Sequence, residues 1–127
     1  MKTIQADNLS ILMQGMLNCK GPVGVKIARN YRMINDELID YRNARLDLFR
    51  KYGEQVGDQL KVDKGSENYP LFLKEMTALD DMKIEFSFRK ITEEELNDSG
   101  LTSQQMLILM DNDMVEEKDN DHSELQN

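Results

Sequence analysis

The stretch VGVKIARNYRMINDELIDYRNARLDLFRKY, residues 23–52, contains no Gly or Pro after Gly24 and is dense in helix-favouring residues. Its apolar side chains recur mainly at intervals of three and four residues, at Ile27, Tyr31, Ile34, Leu38, Tyr41, Leu48 and Tyr52. This spacing predicts one continuous helix with a single apolar face. Such a helix is about 45 Å long at 1.5 Å per residue. Because that exceeds the width of a small domain, we expect other elements or another chain to pack along it.

Arg45 is the one anomaly in this stretch, since it stands where the apolar face expects a core residue. Two interpretations stay open. The side chain either extends past the core or pairs with a carboxylate such as Asp40 or Glu75, or it makes a functional contact with an anion.

Shorter elements are predicted on either side of the long helix. Residues 2–6 alternate polar and apolar side chains, as in a short edge strand. Asp7 or Asn8 is a suitable cap for a helix ending near residue 17, and Gly21 and Pro22 suit the turn into the long helix. The first two helices are therefore expected to form a hairpin.

The second half of the chain alternates strand and helix signals. A brief strand is predicted at residues 60–62 and a helix at residues 70–79. Alternating apolar residues predict a strand at 82–88. Residues 92–95 (TEEE) and 102–105 (TSQQ) have the pattern of a capping box, which opens a helix. The second of these helices is expected to end near residue 115.

These signals predict an α+β fold, in which a helical hairpin with one long helix packs with a small antiparallel sheet and two shorter helices. We expect residues 1–115 to form a single α+β domain. Residues 116–127 lack an apolar period and are expected to be a disordered acidic tail.

Composition restricts the function classes. The single Cys19 forms no internal disulfide, and neither a signal peptide nor an apolar run of membrane-spanning length is visible, so we expect a cytoplasmic protein and no membrane partner. The net charge is −8. It is unevenly placed, because residues 1–52 carry +4 and residues 53–127 carry −12. Direct nucleic-acid binding is not expected of the acidic half.

The residues that usually carry chemistry are scarce. The only histidine, His122, lies in the predicted tail, and no phosphate-binding loop is present. Asp119, Asp121 and Ser123 are spaced like the start of a calcium loop, but Glu124 stands where that loop needs glycine. We predict no catalytic residue, no cofactor and no metal site, and therefore a non-enzymatic protein.

Two sets of residues are candidates for contact with a protein partner or with a second copy of the chain. The first set, apolar except for Arg45, lies near the end of the long helix and on the last helix: Arg45, Leu46, Phe49, Tyr52, Met106, Met110 and Met114. Methionine side chains are flexible and adapt to partners of different shape. Helix docking in a homo-oligomer or on a partner is the mechanism that this set predicts.

The second set is an acidic surface in the C-terminal part of the chain. From Ile91 onward there are eleven Asp/Glu and one Lys. The candidate carboxylates are Glu93, Glu94, Glu95, Asp98, Asp111 and Asp113. They lead to the alternative hypothesis of an inhibitor of a host defence or nucleic-acid enzyme that acts by charge mimicry. A solvated helix surface explains the same charges without any partner.

The order of signals resembles small bacteriophage-encoded proteins of unknown function. The resemblance is architectural and covers most of the chain: the GPVGVKIAR stretch from Gly21, the LFRKYG stretch ending at Gly53, LFLKE from Leu71, the 84–88 strand and the helix after Leu101. It implies a phage origin and a small α+β domain in the host cytoplasm or the virion. The class itself carries no defined activity, and together with the helix-docking candidates we expect a virion assembly component or assembly chaperone.

Overall fold

The computed structural model describes residues 1–117, and within them the fold is α+β and rich in helix, as predicted. The helices are α1 (Thr3–Gln14), α2 (Gly21–Glu37), α3 (Ile39–Tyr52), α4 (Tyr69–Asp80), α5 (Glu93–Asn97) and α6 (Ser103–Asp111). The strands are β1 (Glu54–Val56) and β2 (Gln59–Lys61). Most of the predicted tail, with His122 and the calcium-loop-like residues, lies outside the described residues.

The chain divides into two compact units. Of the described residues, the first comprises Met1–Ile11 and Met33–Phe86, and the second comprises Leu12–Arg32 and residues 87–117. The helices α1 and α2 each contribute residues to both. The expectation of a single domain over residues 1–115 stays a prediction.

In the first unit, α3 packs against α4 around aromatic side chains. Phe72 is buried, and its ring centroid lies 5.3 Å from that of Phe49 and 6.0 Å from that of Tyr52, both in edge-on geometry. Such edge-on pairs contribute about 1 kcal/mol each beyond the area they bury. The Tyr41 hydroxyl donates to Asp80 at 2.6 Å and ties the two helices together. Burial raises the pKa of Tyr41 above its ordinary value, and the hydrogen bond to Asp80 is the second largest cause of this increase.

A polar network also holds the first unit together. Arg42 donates through Nε to Asp7 at 2.9 Å and through Nη1 to Asn35 at 2.6 Å. Ser10, which is buried, donates to the same Asn35 oxygen at 2.9 Å. The guanidinium thus supplies hydrogen-bond partners to polar groups from α1 and α2.

The prediction of one continuous helix over residues 23–52 is wrong, because the helix is interrupted at Leu38. The Leu38 N–H is shared between the carbonyl oxygens of Ile34 at 3.1 Å and Asn35 at 3.3 Å. The second of these is the tighter bond of a 3₁₀ turn. The Leu38 side chain is fully buried, so the apolar face continues through the interruption. No Gly or Pro marks this point in the sequence.

The strand predictions are only partly confirmed. β2 overlaps the predicted strand at 60–62, and its antiparallel partner β1 was not predicted. Residues 2–6 are not a strand, since α1 already begins at Thr3. The predicted start at Asp7 or Asn8 is also wrong, because α1 obtains backbone partners from residues distant in sequence. The Thr3 N–H donates to the Met82 carbonyl at 2.9 Å, and Lys2 forms an antiparallel bridge with Lys83.

Residues 82–88 do not form a strand. Ile84, Phe86 and Phe88 are half-buried while the residues between them are exposed, so the predicted alternation is present. Only Lys83 takes part in a bridge. Within residues 1–117, no neighbouring strand pairs with the rest of the segment, and alternation alone does not make a ladder.

In the second unit, a buried asparagine takes the place of a strand partner. Asn30 lies on α2 and is fully buried. Its Nδ2 donates to the carbonyl of Arg89 at 3.0 Å, and its Oδ1 accepts from the Arg89 N–H at 2.7 Å. One side-chain amide therefore satisfies both backbone groups of Arg89, as a neighbouring strand does in a sheet.

The two predicted capping boxes are confirmed. Thr92 accepts from the Glu95 N–H at 3.1 Å, and Glu95 accepts from the Thr92 N–H at 2.9 Å. Thr102 and Gln105 exchange the same pair of bonds, both at 3.1 Å. These boxes fix the first turns of α5 and α6 by local hydrogen bonds alone.

Candidate functional site

A groove of about 640 Å³ lies in the second unit, on the surface formed by α5, α6 and the segment that follows α6. Helix α5 contributes Glu93 and the residues three and four positions after it. Helix α6 and the turn that follows it contribute Met106 and the residues four and seven positions after it. The full lining is Glu93, Leu96, Asn97, Met106, Met110, Asp113, Val115, Glu116 and Glu117. These spacings place one face of each helix on the groove.

A reversal of the chain after α6 builds the third side of the groove. Asp113 has a backbone φ of 62°, the left-handed conformation that asparagine and aspartate adopt more readily than most residues. Val115 then forms a parallel bridge with Ile91, in which Ile91 donates to Met114 at 2.9 Å and Glu116 donates to Ile91 at 2.7 Å. This bridge joins the start of α5 to the end of α6.

The floor of the groove is apolar. Leu96 is buried, Met106 and Val115 are half-buried, and the side chain of Met110 is 53% exposed. Met114, predicted to belong with Met106 and Met110, is fully buried in the core. It therefore offers no surface to a partner.

The rim of the groove carries four carboxylates, those of Glu93, Asp113, Glu116 and Glu117, all on exposed residues. Asp113 is paired with Lys90, whose Nζ lies 2.6 Å from its carboxylate and also donates to its backbone carbonyl at 2.5 Å. Among the described residues that line the groove there is no Lys or Arg. The apolar floor is therefore bordered by carboxylates, of which that of Asp113 is paired with Lys90.

The remaining predicted carboxylates do not line this groove. Glu95 is occupied by Lys26, whose Nζ lies 2.7 Å from its Oε1, and this bond lowers the pKa of Glu95 below its usual 4.5, with the Thr92 N–H contributing further. Glu94, Glu95 and Asp98 border another cleft beside Lys20 at the start of α2. Asp111 is exposed on α6.

The predicted apolar candidates of α3 are placed less favourably for contact. Leu46 is 41% exposed, whereas Phe49 and Tyr52 are half-buried against Phe72. The Arg45 guanidinium lies 5.9 Å from the centre of the Phe49 ring. Neither predicted ion pair of Arg45 forms, because Glu75 faces Lys51 at 3.6 Å instead, and the buried Nε of Arg45 has no hydrogen-bond partner.

Sequence reasoning identified Met106, Met110, Glu93 and Asp113 but assigned them to two separate surfaces. It missed five members of the groove: Leu96, Asn97, Val115, Glu116 and Glu117. The last two were assigned to the tail. A signal was present, since Glu93, Leu96 and Asn97 share a helical face after a capping box, and Asn112-Asp113 is suited to a left-handed helix end.

Within residues 1–117, no group of three or more His, Cys, Asp or Glu side chains is arranged to hold a metal ion. Among the described helices, none is long and apolar enough to cross a membrane. Comparison of the chain with protein-family models, with curated proteins and with solved structures finds no match.

Proposed function

We propose that this chain is a non-enzymatic, phage-encoded interaction protein that acts in virion assembly, as a component or as an assembly chaperone, in the host cytoplasm or the virion. The observation that carries the interaction role is the apolar groove floor formed by Met106 and the exposed Met110. A partner that covers this floor removes apolar surface from water, which is the main driving force of protein association. The phage origin rests on the architectural resemblance described above, and the assembly role combines that origin with an apolar surface suited to docking a partner.

Exposed Leu46 on α3 supports a second, smaller contact area. Its neighbours Phe49 and Tyr52 are already packed against Phe72, so they support a contact rather than provide its centre. Fully desolvated side chains at the centre of an interface carry most of its binding energy. The groove is therefore the primary surface in this proposal.

Capture of a partner with matched variants tests the proposal. Tagged full-length protein, wild type or variant, serves as bait in a lysate of infected cells, and the captured proteins are quantified by mass spectrometry. Met110→Asp places a charge on the groove floor. Leu107→Asp is the matched control, because Leu107 is on the same helix with 54% exposure but does not line the groove.

We expect a partner that wild type and Leu107→Asp retain and that Met110→Asp loses, and we expect that partner to be a protein of the virion or its precursors. Equal capture by all three baits contradicts an interaction role for the groove. A groove-dependent partner outside the virion and its precursors leaves the interaction role intact and removes the assembly role.

The alternative is an acidic inhibitor of a host defence or nucleic-acid enzyme. The exposed carboxylates of Glu94, Asp98 and Asp111, with those on the groove rim, favour it. Charge mimicry depends on many carboxylates together, so its binding weakens steeply with salt. Inhibition of a nuclease that survives Met110→Asp but disappears at high salt distinguishes this function from groove-mediated assembly.

A further inference from the structure

We infer that the groove between α5 and α6 binds a basic amphipathic helix of a partner protein, an inference that rests on the proposed interaction function and specifies its partner. The floor supplies apolar contacts through Leu96, Met106, Met110 and Val115. The rim supplies carboxylates on both helical sides and on the closing segment. One ligand surface matches this combination, namely an apolar helix face bordered by Lys and Arg.

The floor is suited to a helix face because two of its members, the half-buried Met106 and the exposed Met110, are methionines on one face of α6. Met106 and Met110 stand four residues apart, so their side chains follow one another along the groove. Thioether side chains adjust their shape at low cost and accept apolar residues of different sizes. A helix inserts such residues at intervals of three, four and seven.

The rim determines the charge of the occupant. Lys90 compensates the carboxylate of Asp113, and Glu116 and Glu117 place two further exposed carboxylates on the rim. A helix with Lys or Arg beside its apolar face gains attraction from them, whereas an acidic helix meets repulsion. The C-terminal residues of the chain and a second copy of the chain are disfavoured as occupants because both are acidic. Residues 118–127 contain three Asp/Glu and one Lys, and a second copy presents the same acidic rim.

Fluorescence anisotropy with designed peptides tests the inference on the full-length chain. The probe is a labelled amphipathic peptide of about sixteen residues, roughly 24 Å long as a helix, with Leu on one face and Lys on the other. A second peptide keeps every Leu and replaces each Lys by Glu. A third has the composition of the first in an order that disperses its apolar face.

Four protein variants accompany the peptides. Met110→Asp and its control Leu107→Asp test the floor. The double variant Glu116→Gln/Glu117→Gln tests the rim, and Glu54→Gln/Glu67→Gln removes the same charge from exposed positions that do not line the groove. Every one of the substituted residues is exposed, so folding is retained.

We expect the Lys peptide to bind and the other two to bind at least about tenfold more weakly. Met110→Asp should weaken binding of the Lys peptide by about tenfold, and Leu107→Asp should weaken it by less than about twofold. Loss of the two rim charges should weaken binding of the Lys peptide about threefold at low salt and by less at high salt. The control pair should leave this binding unchanged.

Equal binding of the dispersed peptide overturns the inference, because it shows attraction by charge alone. Binding of the Glu peptide that depends on Met110 also overturns it, but leaves the interaction function standing with a partner of different charge. If no peptide binds, the inference falls. The interaction function then falls with it only when partner capture is also unaffected by Met110→Asp.

Discussion

At the scale of single residues, the second unit depends on one buried amide. Asn30 satisfies both backbone groups of Arg89, an arrangement that neither alanine nor aspartate reproduces. Asn30→Ala leaves the buried N–H and carbonyl without their partner, and each unsatisfied group costs about 1–3 kcal/mol. We expect the free energy of unfolding to fall by about 2–3 kcal/mol, measured by urea denaturation.

Two further variants check this prediction. Asn43→Ala, at an exposed position of α3, should change the free energy of unfolding by less than about 0.5 kcal/mol. Asn30→Asp keeps the shape but turns a carboxylate oxygen toward the Arg89 carbonyl, so it should destabilise at neutral pH and recover partly when acid protonates it. If Asn30→Ala changes the free energy of unfolding as little as Asn43→Ala does, the Asn30 amide does not stabilise the second unit.

A second residue-scale prediction concerns the pH dependence of Glu95. Its pKa is lowered in the folded state by the Lys26 ammonium, so the folded protein binds fewer protons than the unfolded one near that pKa. The stabilisation is present above the unfolded value of about 4.5 and is lost as the pH falls through the lower folded value. Glu95→Gln keeps the capping hydrogen bond from Thr92 but removes this charge.

We therefore expect Glu95→Gln to have a lower Tm than wild type at pH 7, and the difference to shrink at about pH 3. Differential scanning calorimetry at both pH values measures it. Glu94→Gln, at the exposed neighbouring position, should show no comparable pH-dependent difference. A difference between wild type and Glu95→Gln that is the same at both pH values would indicate that the Lys26 pair contributes nothing.

At the scale of elements, the turn between α1 and α2 depends on a close approach at Gly24. A Cβ atom at this position would lie 1.9 Å from the Cys19 carbonyl oxygen. Because the obstacle is backbone, a side chain there must displace the turn, and we expect Gly24→Ala to destabilise the protein by about 2 kcal/mol or more. Thermal and urea unfolding measure the change.

Gly21 provides the comparison within the same turn. Its φ is +75°, and a Cβ atom there would meet nothing within 4 Å. Gly21→Ala is therefore penalised only for the left-handed backbone, by about 1 kcal/mol. We therefore expect Gly24→Ala to lower the free energy of unfolding more than Gly21→Ala does. The reverse order would show that backbone conformation, and not steric contact, limits this turn.

Local signals in the sequence predicted elements well where the stabilising bonds are also local. The capping boxes at Thr92 and Thr102 each close within four residues, and both are present. The prediction of a strand at 82–88 was wrong because alternation of apolar and polar residues does not supply a neighbouring strand. The interruption at Leu38 was missed because a shared hydrogen bond leaves no mark such as Gly or Pro.

The groove shows the same limit at the level of a site. Its two helices could be placed from sequence, and so could Met106 and Met110 on one face of α6. Its third side depends on the bridge between Ile91 and Val115, a pairing over 24 positions of sequence that no local pattern specifies. Acidic and apolar candidates therefore remained separate until the fold brought them together.

At the scale of the whole molecule, net charge and the acidic rim bear on self-association. The chain carries −8, and contact between two copies through the same groove would place rim carboxylates against each other. Like charges in such a contact oppose it most strongly at low salt. We expect light scattering of the full chain to give the mass of a monomer, 14.8 kDa, at low salt and at high salt.

A salt-resistant oligomer would contradict this expectation and assign apolar surface to self-contact. Met110→Asp and Leu46→Asp then identify which surface is used, because each places a charge on a different exposed apolar area. Loss of the oligomer in Met110→Asp alone would make the groove a homo-oligomer interface and remove the basic helix as its occupant. Loss in Leu46→Asp alone would place self-contact on α3 and leave the groove free for a partner, because its floor and rim would be unchanged.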